Sequence, residues 1–294
     1  MATYPDPEHA LTPSGNLRRR LVYNALFEGG AGFAAFLAVG VLLLVAISIA
    51  AHGLPVINLH FLTGSLPPPS GGVGGIGPAL IGTLEMVAFV IAITLPLAVL
   101  IALFVTQFAS PRVGNAVRMV VDVMNGLPTI VVGVFIFAVL IAATHGGFAG
   151  WKGIVALSIV ILPLITRATI EAISRVPELL TEAADALGVA RWRTVIGVIL
   201  PTASPSILTA TILAGARAAG ETAPVLFTDS GFGQTTQLNP LHAMPNMPLE
   251  IYYLITTLNF QEAWGAAFVL LVLILATNLL ARTFLRRAQR KRGL

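Results

Sequence analysis

Val176-Pro177-Glu178-Leu179-Leu180-Thr181-Glu182-Ala183-Ala184-Asp185-Ala186-Leu187-Gly188 carries its own start and stop signals for a short helix. Pro177 suits the entry, acids occupy the early turns, and Gly188 is the residue type that ends a helix by backbone reversal. Leu179, Leu180, Ala183, Ala184 and Leu187 recur at helical spacing and form one apolar stripe. On periodicity alone, the segment is an amphipathic helix lying on a surface.

Working outward, the flanking chain is apolar over lengths that cross a bilayer. About 20 residues rising 1.5 Å each span roughly 30 Å of hydrocarbon. Ala31 to Ala51, Pro78 to Val105, Leu127 to Ala143, Gly153 to Ile170, Pro205 to Thr228 and Ala263 to Ala281 are predicted as six spans. Pro78 fits a first helical turn, and Pro96 predicts a kink in the second span. Before the third, Val113, Val117, Val120 and Met124 read either as an interfacial turn or as an early start of the same helix. Leu249 to Leu258 is predicted as a short helix outside the spans.

Composition agrees: 56% of residues are hydrophobic and 10% charged, with mean hydropathy +0.88. Soluble domains run at roughly 45–50% apolar and about 25% charged, so lipid is the expected solvent and one membrane bundle the expected organisation. The net charge of +4 sits in basic residues that bracket apolar runs rather than in an aromatic-interleaved patch, which argues against nucleic acid as a partner. There is no cysteine, so no disulfide or thiolate site exists. Pro5, Pro7, Pro13 and Arg18-Arg19-Arg20 precede a first run long enough to span, which reads as a retained helix rather than a cleaved signal.

Arg18 to Arg20, Arg112, Arg118, Arg167, Arg175, Arg191, Arg193 and the tail Arg282, Arg286, Arg287, Arg290, Lys291 and Arg292 fall on one side, and Lys152 alone on the other. Basic residues favour cytoplasmic segments, so both termini and Arg167 to Leu200 are expected inside, with Gly53 to Gly77 and Asp229 to Glu262 outside. The predicted organisation is a cytoplasmic tail (1–30), a transmembrane domain (31–281) containing a loop segment (171–201), and a basic cytoplasmic tail (282–294).

Glu182-Ala183-Ala184, Gly188 after three intervening residues, and Val198-Ile199-Leu200-Pro201 after nine more resemble the EAA loop of ABC importer permeases, departing from it only in Val198 for Ile. The resemblance implies an all-α integral membrane protein with the MetI-like fold. It implies a coupling helix that docks into a partner ATPase through Glu182, Ala183, Ala184 and Gly188. No Gly-Lys pair exists for a phosphate-cradling P-loop, so this subunit is expected to bind no cofactor, with ATP and Mg held by the partner.

Asn125-Gly126-Leu127-Pro128-Thr129-Ile130-Val131-Val132-Gly133 and Ala219-Gly220-Glu221-Thr222-Ala223-Pro224 resemble the phosphate-importing, PstA-type branch of that family. The partners this implies are a homologous permease (PstC type), an ATPase dimer (PstB type), an extracytoplasmic phosphate-binding protein (PstS type) and membrane lipid. The implied location is the bacterial cell membrane, crossed many times. Arg217 and Glu221 share a helix face and would each cost roughly 2.5–3.5 kcal/mol facing lipid at the bilayer centre. They are expected to face each other or a substrate pathway, with Thr222 beside them. Thr211, Gly215, Ala216, Ala219 and Gly220 form a small-residue face, read as a surface for the second permease.

Gly72-Val73-Gly74-Gly75-Ile76-Gly77 matches G-x-G-x-x-G but lacks the βαβ unit a nucleotide site needs. His52, His60, His145 and His242 lack metal-ligand spacing, and no metal site is expected. Glu85 and Asp122 read as structural charges near membrane boundaries. Another oxyanion (sulfate, molybdate or phosphonate) remains open as cargo, as does a phosphate-signalling role. An intramembrane enzyme would need a membrane-depth base that no buried His or Lys supplies.

Overall fold

The computed structural model describes residues 17–66, 74–231 and 235–291, so Pro5, Pro7, Pro13, Gly72, Val73 and Arg292 lie outside the described residues. All described elements are helical, apart from one isolated bridge between Gly231 and Pro245. The chain divides into two units, 1–51 and 52–294. The first unit carries nearly all of α1 (Leu17–Gly53), whose apolar stretch is long enough to cross a membrane. The helix begins well before the Ala31 expected from hydropathy, because the polar residues after Leu17 continue its backbone ladder.

In the second unit, α2 (Leu59–Thr63) precedes α3 (Gly77–Leu103), which passes Pro96 and runs into a π-helical turn, Phe104–Phe108. Next come α4 (Pro111–Gly126), α5 (Thr129–Phe137) with a π turn Ala138–Ala142, and α6 (Gly150–Ser174). The short α7 (Glu178–Ala186) and α8 (Arg191–Thr194) lead through a π turn, Val195–Ile199, into α9 (Leu200–Gly220). The chain closes with α10 (Ala223–Thr228), α11 (Met247–Thr256) and α12 (Phe260–Lys291). Among the described residues, five helices are long and apolar enough to span, six if α4 and α5, bent by 92°, count as one broken span.

The bend answers the alternatives left open before the third span: Val113 to Met124 belong to a separate helix. Gly126 ends α4, and Leu127, restricted by the proline after it, is extended at φ −71°, ψ 133°. Pro128 then begins α5.

Helices α3, α6 and α9 form the centre, where Met86, Val90, Leu157, Ile161, Ile165, Ala214 and Ala218 pack as one buried cluster. A second cluster at the other end of these helices joins Ala102, Ile170, Ile173, Val195, Ile199 and Ala203. Part of the small face of α9 is used within the chain: a Cβ on Gly215 would lie 2.7 Å from Ile91 Cδ1 of α3, and Thr211 and Ala219 are buried. Ala216 is half-buried and Gly220 exposed, and Gly215, Ala216 and Ala219 line an apolar cleft with Ile212, Leu273 and Ile274. Lipid gives helices no hydrophobic reason to associate, so the close approach that small residues allow serves the α3–α9 contact at Gly215.

Candidate coupling and translocation sites

The candidate coupling segment folds as its residue types dictate. Pro177 caps the N-terminus of α7, and the Thr181 hydroxyl donates to the Glu178 carbonyl at 2.7 Å. At the other end Gly188 takes φ +69°, Val189 N–H donates to Ala184 O at 3.0 Å and Gly188 N–H to Asp185 O at 3.0 Å. That pair of reversed bonds is the Schellman closure, which satisfies carbonyls the helix end would otherwise orphan. No atom lies within 4 Å of a Cβ built on Gly188, so its requirement is conformational and not steric.

Of the apolar stripe, Ala184 alone is buried. Leu179 and Leu187 are 75% and 82% exposed, and Glu182 and Ala183 also face outward. Beyond α8, Ile199 is 1% exposed and locks the segment to the bundle. Pro201 cannot donate to a carbonyl one turn back, and the ladder ahead of it widens into the π turn Val195–Ile199.

The fifth span does not continue to Thr228 as hydropathy suggests. It stops at Gly220, with Glu221 extended at φ −75°, ψ 115°, and α10 starts at Ala223. Pro224 explains the break: it lacks the N–H that would bond Gly220 O, and its ring would press on that carbonyl. Arg217 and Glu221 nonetheless meet, Nε donating to Oε1 at 3.1 Å. Glu221 is largely buried (side chain 16% exposed), whereas Arg217 is 54% exposed. Because the pair uses Nε, both terminal NH2 groups of Arg217 remain uncommitted. Thr222 caps α10, its carbonyl accepting from Leu226 N–H at 3.0 Å.

The two stretches separated by some ninety residues in the chain come together. Gly133 of α5 lies against the Ala223–Pro224 backbone at the start of α10, and Glu221 lines a small cavity with Thr83, Asn246 and Pro248. Asp122 ties α4 to α6 through Arg167, Oδ1 to Nη1 at 3.1 Å. Glu85 stands in the third turn of α3 and not at its end, with Oε2 buried and unbonded.

Sequence reasoning missed the strap between α10 and α11. Asp229, fully buried, accepts from Met244 N–H at 2.8 Å and from Asn246 Nδ2 at 3.5 Å. Asn246 in turn caps α11 by accepting from Leu249 N–H, and Met247 N–H donates to Thr83 Oγ1 on α3. The free N–H groups opening α6 are taken by the same strap: Gly150 N–H donates to His242 O and Trp151 N–H to Pro240 O, each at 2.8 Å. Burial pushes the Asp229 carboxyl up to about 7, against the lowering effect of its two hydrogen bonds. An acid directly after a helix followed by Ser-Gly was the one available signal, and it is weak.

The family model for binding-protein-dependent transport system inner membrane components matches residues 94–292. A probable phosphate transport system permease protein PstA of Methanocaldococcus jannaschii is 35% identical over 272 residues, covering 90% of this chain and 95% of that one. PstA 1 of Mycobacterium tuberculosis is 34% identical, covering 80% and 77%. Among solved structures, a bacterial alginate ABC transporter aligns over 93% of this chain and 96% of its own, with TM-score 0.63 at 18% identity. The inward-facing MetNI methionine ABC transporter aligns over 72% and 94%, with TM-score 0.56 at 20% identity. With its all-helical MetI-like bundle, multiple membrane-spanning helices and this coverage, the chain belongs to the family of binding-protein-dependent transport system inner membrane components.

Proposed function

We propose that this chain is the permease subunit of an ATP-driven inorganic phosphate importer. It forms the translocation pathway with a second permease and is driven through α7 by an ATPase. The observation that carries the reading is the uncovered apolar face of a rigidly closed helix: Leu179 and Leu187 stand exposed beside Glu182, on a segment clamped to the bundle through Ile199. An exposed apolar face on an element capped at both ends and packed to the bundle suits a docking partner. Glu182, Ala183, Ala184 and Gly188 are the coupling residues in this reading. The cargo is supported by relatives named as phosphate permeases, together with the meeting of Gly133 and Pro224 beside Arg217 and Glu221.

The partners are a PstC-type permease, a PstB-type ATPase dimer that binds ATP and Mg, and a PstS-type extracytoplasmic binding protein. Both termini lie in the cytoplasm, a reading supported by the one-sided distribution of basic residues. In the pathway, the free NH2 groups of Arg217 receive the oxyanion as a fork, while Glu221 holds the guanidinium by Nε and keeps it from becoming a permanent trap. Thr222, at the break, adds a hydroxyl next to the pair.

The test is uptake of labelled phosphate, with sulfate in parallel, by vesicles containing the assembled complex. Phosphate-selective uptake lost in Arg217→Ala, and ATPase activity uncoupled in Glu182→Lys, is the expected outcome. Sulfate-selective uptake would overturn the cargo.

A further inference from the structure

A polar cavity of about 290 Å³ lies at the foot of the coupling segment, where α3 and α6 end and α7 begins. Its polar walls come from Gln107 of the π turn after α3, Arg118 of α4, Ser174 of α6, Glu178 and Thr181 of α7, and Arg191 of α8. The proposed pathway uses none of them.

Its charges do not cancel. Arg191 Nη2 donates to Gln107 Oε1 at 3.2 Å and its Nη1 meets Asp185 Oδ2 at 3.5 Å, so this arginine is partly compensated. The bond occupies the Gln107 oxygen, leaving both amide hydrogens of that side chain as donors. Arg118 makes no ion pair or hydrogen bond with any described residue. The carboxylate one turn further along α4, Asp122, is held by Arg167 at 3.1 Å. Two guanidinium groups therefore face one lining carboxylate, Glu178, inside a concavity backed by Ile173 and Ile199. An isolated surface arginine would simply be hydrated; here a concave wall gathers donors from several elements at one place.

We propose that this cavity binds a phosphate group, carried either by free inorganic phosphate or by the headgroup of an anionic lipid. Forked guanidinium donors match a tetrahedral oxyanion in geometry and charge. The walls belong both to the bundle (α3, α4, α6) and to the coupling element (α7, α8). A ligand bridging them favours whichever arrangement keeps the two together, and so shifts the coupling equilibrium by its differential affinity. Its placement on the cytoplasmic side rests on the orientation proposed above; the binding itself does not. With free phosphate as ligand, accumulated product slows further import.

The experiment is equilibrium binding of labelled inorganic phosphate to the assembled complex in neutral-lipid nanodiscs, for the unaltered chain, Arg118→Gln and Arg217→Ala. Arg118 is exposed, so its replacement leaves the fold intact. The expected result is a bound phosphate weakened by roughly tenfold or more in Arg118→Gln and retained in Arg217→Ala. Nanodiscs containing phosphatidylglycerol provide the second arm. There, lipid retention that depends on Arg118 and excludes phosphate also supports the site, with a headgroup as its ligand. Indifference of both ligands to Arg118 overturns the proposal. So does a loss of ATPase docking in Arg118→Gln with neither ligand bound, which would give the site to an acidic side chain of the partner. Arg118-dependent binding without any phosphate uptake would sink the importer reading alone; selective uptake without that binding would sink this inference alone.

Discussion

Gly133 of α5 and Pro224 of α10 are in backbone contact: a Cβ on Gly133 would lie 2.9 Å from Pro224 Cα and 3.0 Å from Ala223 O. Neither neighbour is a flexible side chain, so the segments must part if residue 133 gains a side chain. Gly133→Val is expected to cost about 1–3 kcal/mol, typical of overpacking, and to displace the chain around Glu221. Thermal unfolding of the solubilised complex and initial uptake rates should both fall. Gly220→Ala, whose added carbon would meet only Ile274 Cδ1 at 3.8 Å, should leave both nearly unchanged. Equal behaviour of the two variants would mean that this contact does not position the pathway.

Gly188 is the place to test whether the closure of α7 matters for coupling and not merely for folding. Its φ of +69° costs a non-glycine residue about 1 kcal/mol, less for Asn. Because the site has open space around it, Gly188→Ala should fray the end of α7 without unfolding the bundle. The expected outcome is an assembled complex whose ATPase activity responds weakly to the loaded binding protein, with Gly188→Asn intermediate. Full coupling in Gly188→Ala would show that the reversal is dispensable.

Asp229 makes the strap pH-sensitive. It lies outside every candidate span, and its carboxyl is pushed from 3.8 to about 7 by burial. Between those values the unfolded chain has released a proton that the folded chain keeps, so the folded state binds more protons and stability falls as pH rises. The contribution is fully present below about pH 4 and is lost as pH passes 7, with an upper bound of ~4 kcal/mol. Asp229→Asn removes the titration, so its melting temperature relative to the unaltered chain should climb between pH 4 and 8. A constant difference across that range would show that Asp229 does not titrate there.

What the sequence revealed divides by the range of the interactions involved. Helix α7 was legible end to end, because Pro177, the acids and Gly188 act on their own neighbours in the chain. Five of the spans were legible too, since length and hydropathy are local properties; the third counts as one only together with α4 across the 92° bend. The break at Glu221 was not read, although Pro224 lay in plain view, because an apolar window averages over a single missing donor. The Asp229 strap was illegible for a different reason: its partners Met244 and Asn246 are 15 and 17 residues away, and nothing in their types announces the pairing. The small face of α9 was recognised as a close-packing surface, and α3 takes up part of it at Gly215, because sequence reports what a face can do and not which helix arrives there.

Asp122 and Arg167 bridge α4 and α6, yet both side chains are more than half exposed. Such pairs contribute at most about 1 kcal/mol. Asp122→Asn should therefore shift thermal stability only slightly and leave uptake close to normal. A large uptake defect in a stable variant would move Asp122 from a structural role into the pathway.

Arg217 and Glu221 give the sharpest test, because the two halves of the pair should fail in opposite ways. Arg217→Lys keeps the charge but loses the planar fork, so phosphate binding in the pathway weakens and uptake should drop by roughly tenfold or more with assembly intact. Glu221→Gln keeps the shape but removes the charge that compensates the guanidinium at 3.1 Å. Phosphate should then bind more tightly and leave more slowly, lowering KM and the maximal rate together. Uptake kinetics over a range of external phosphate separate these patterns. A structural ion pair would behave otherwise: both variants would lose stability and assembly in parallel, and neither would change KM in the complexes that still form.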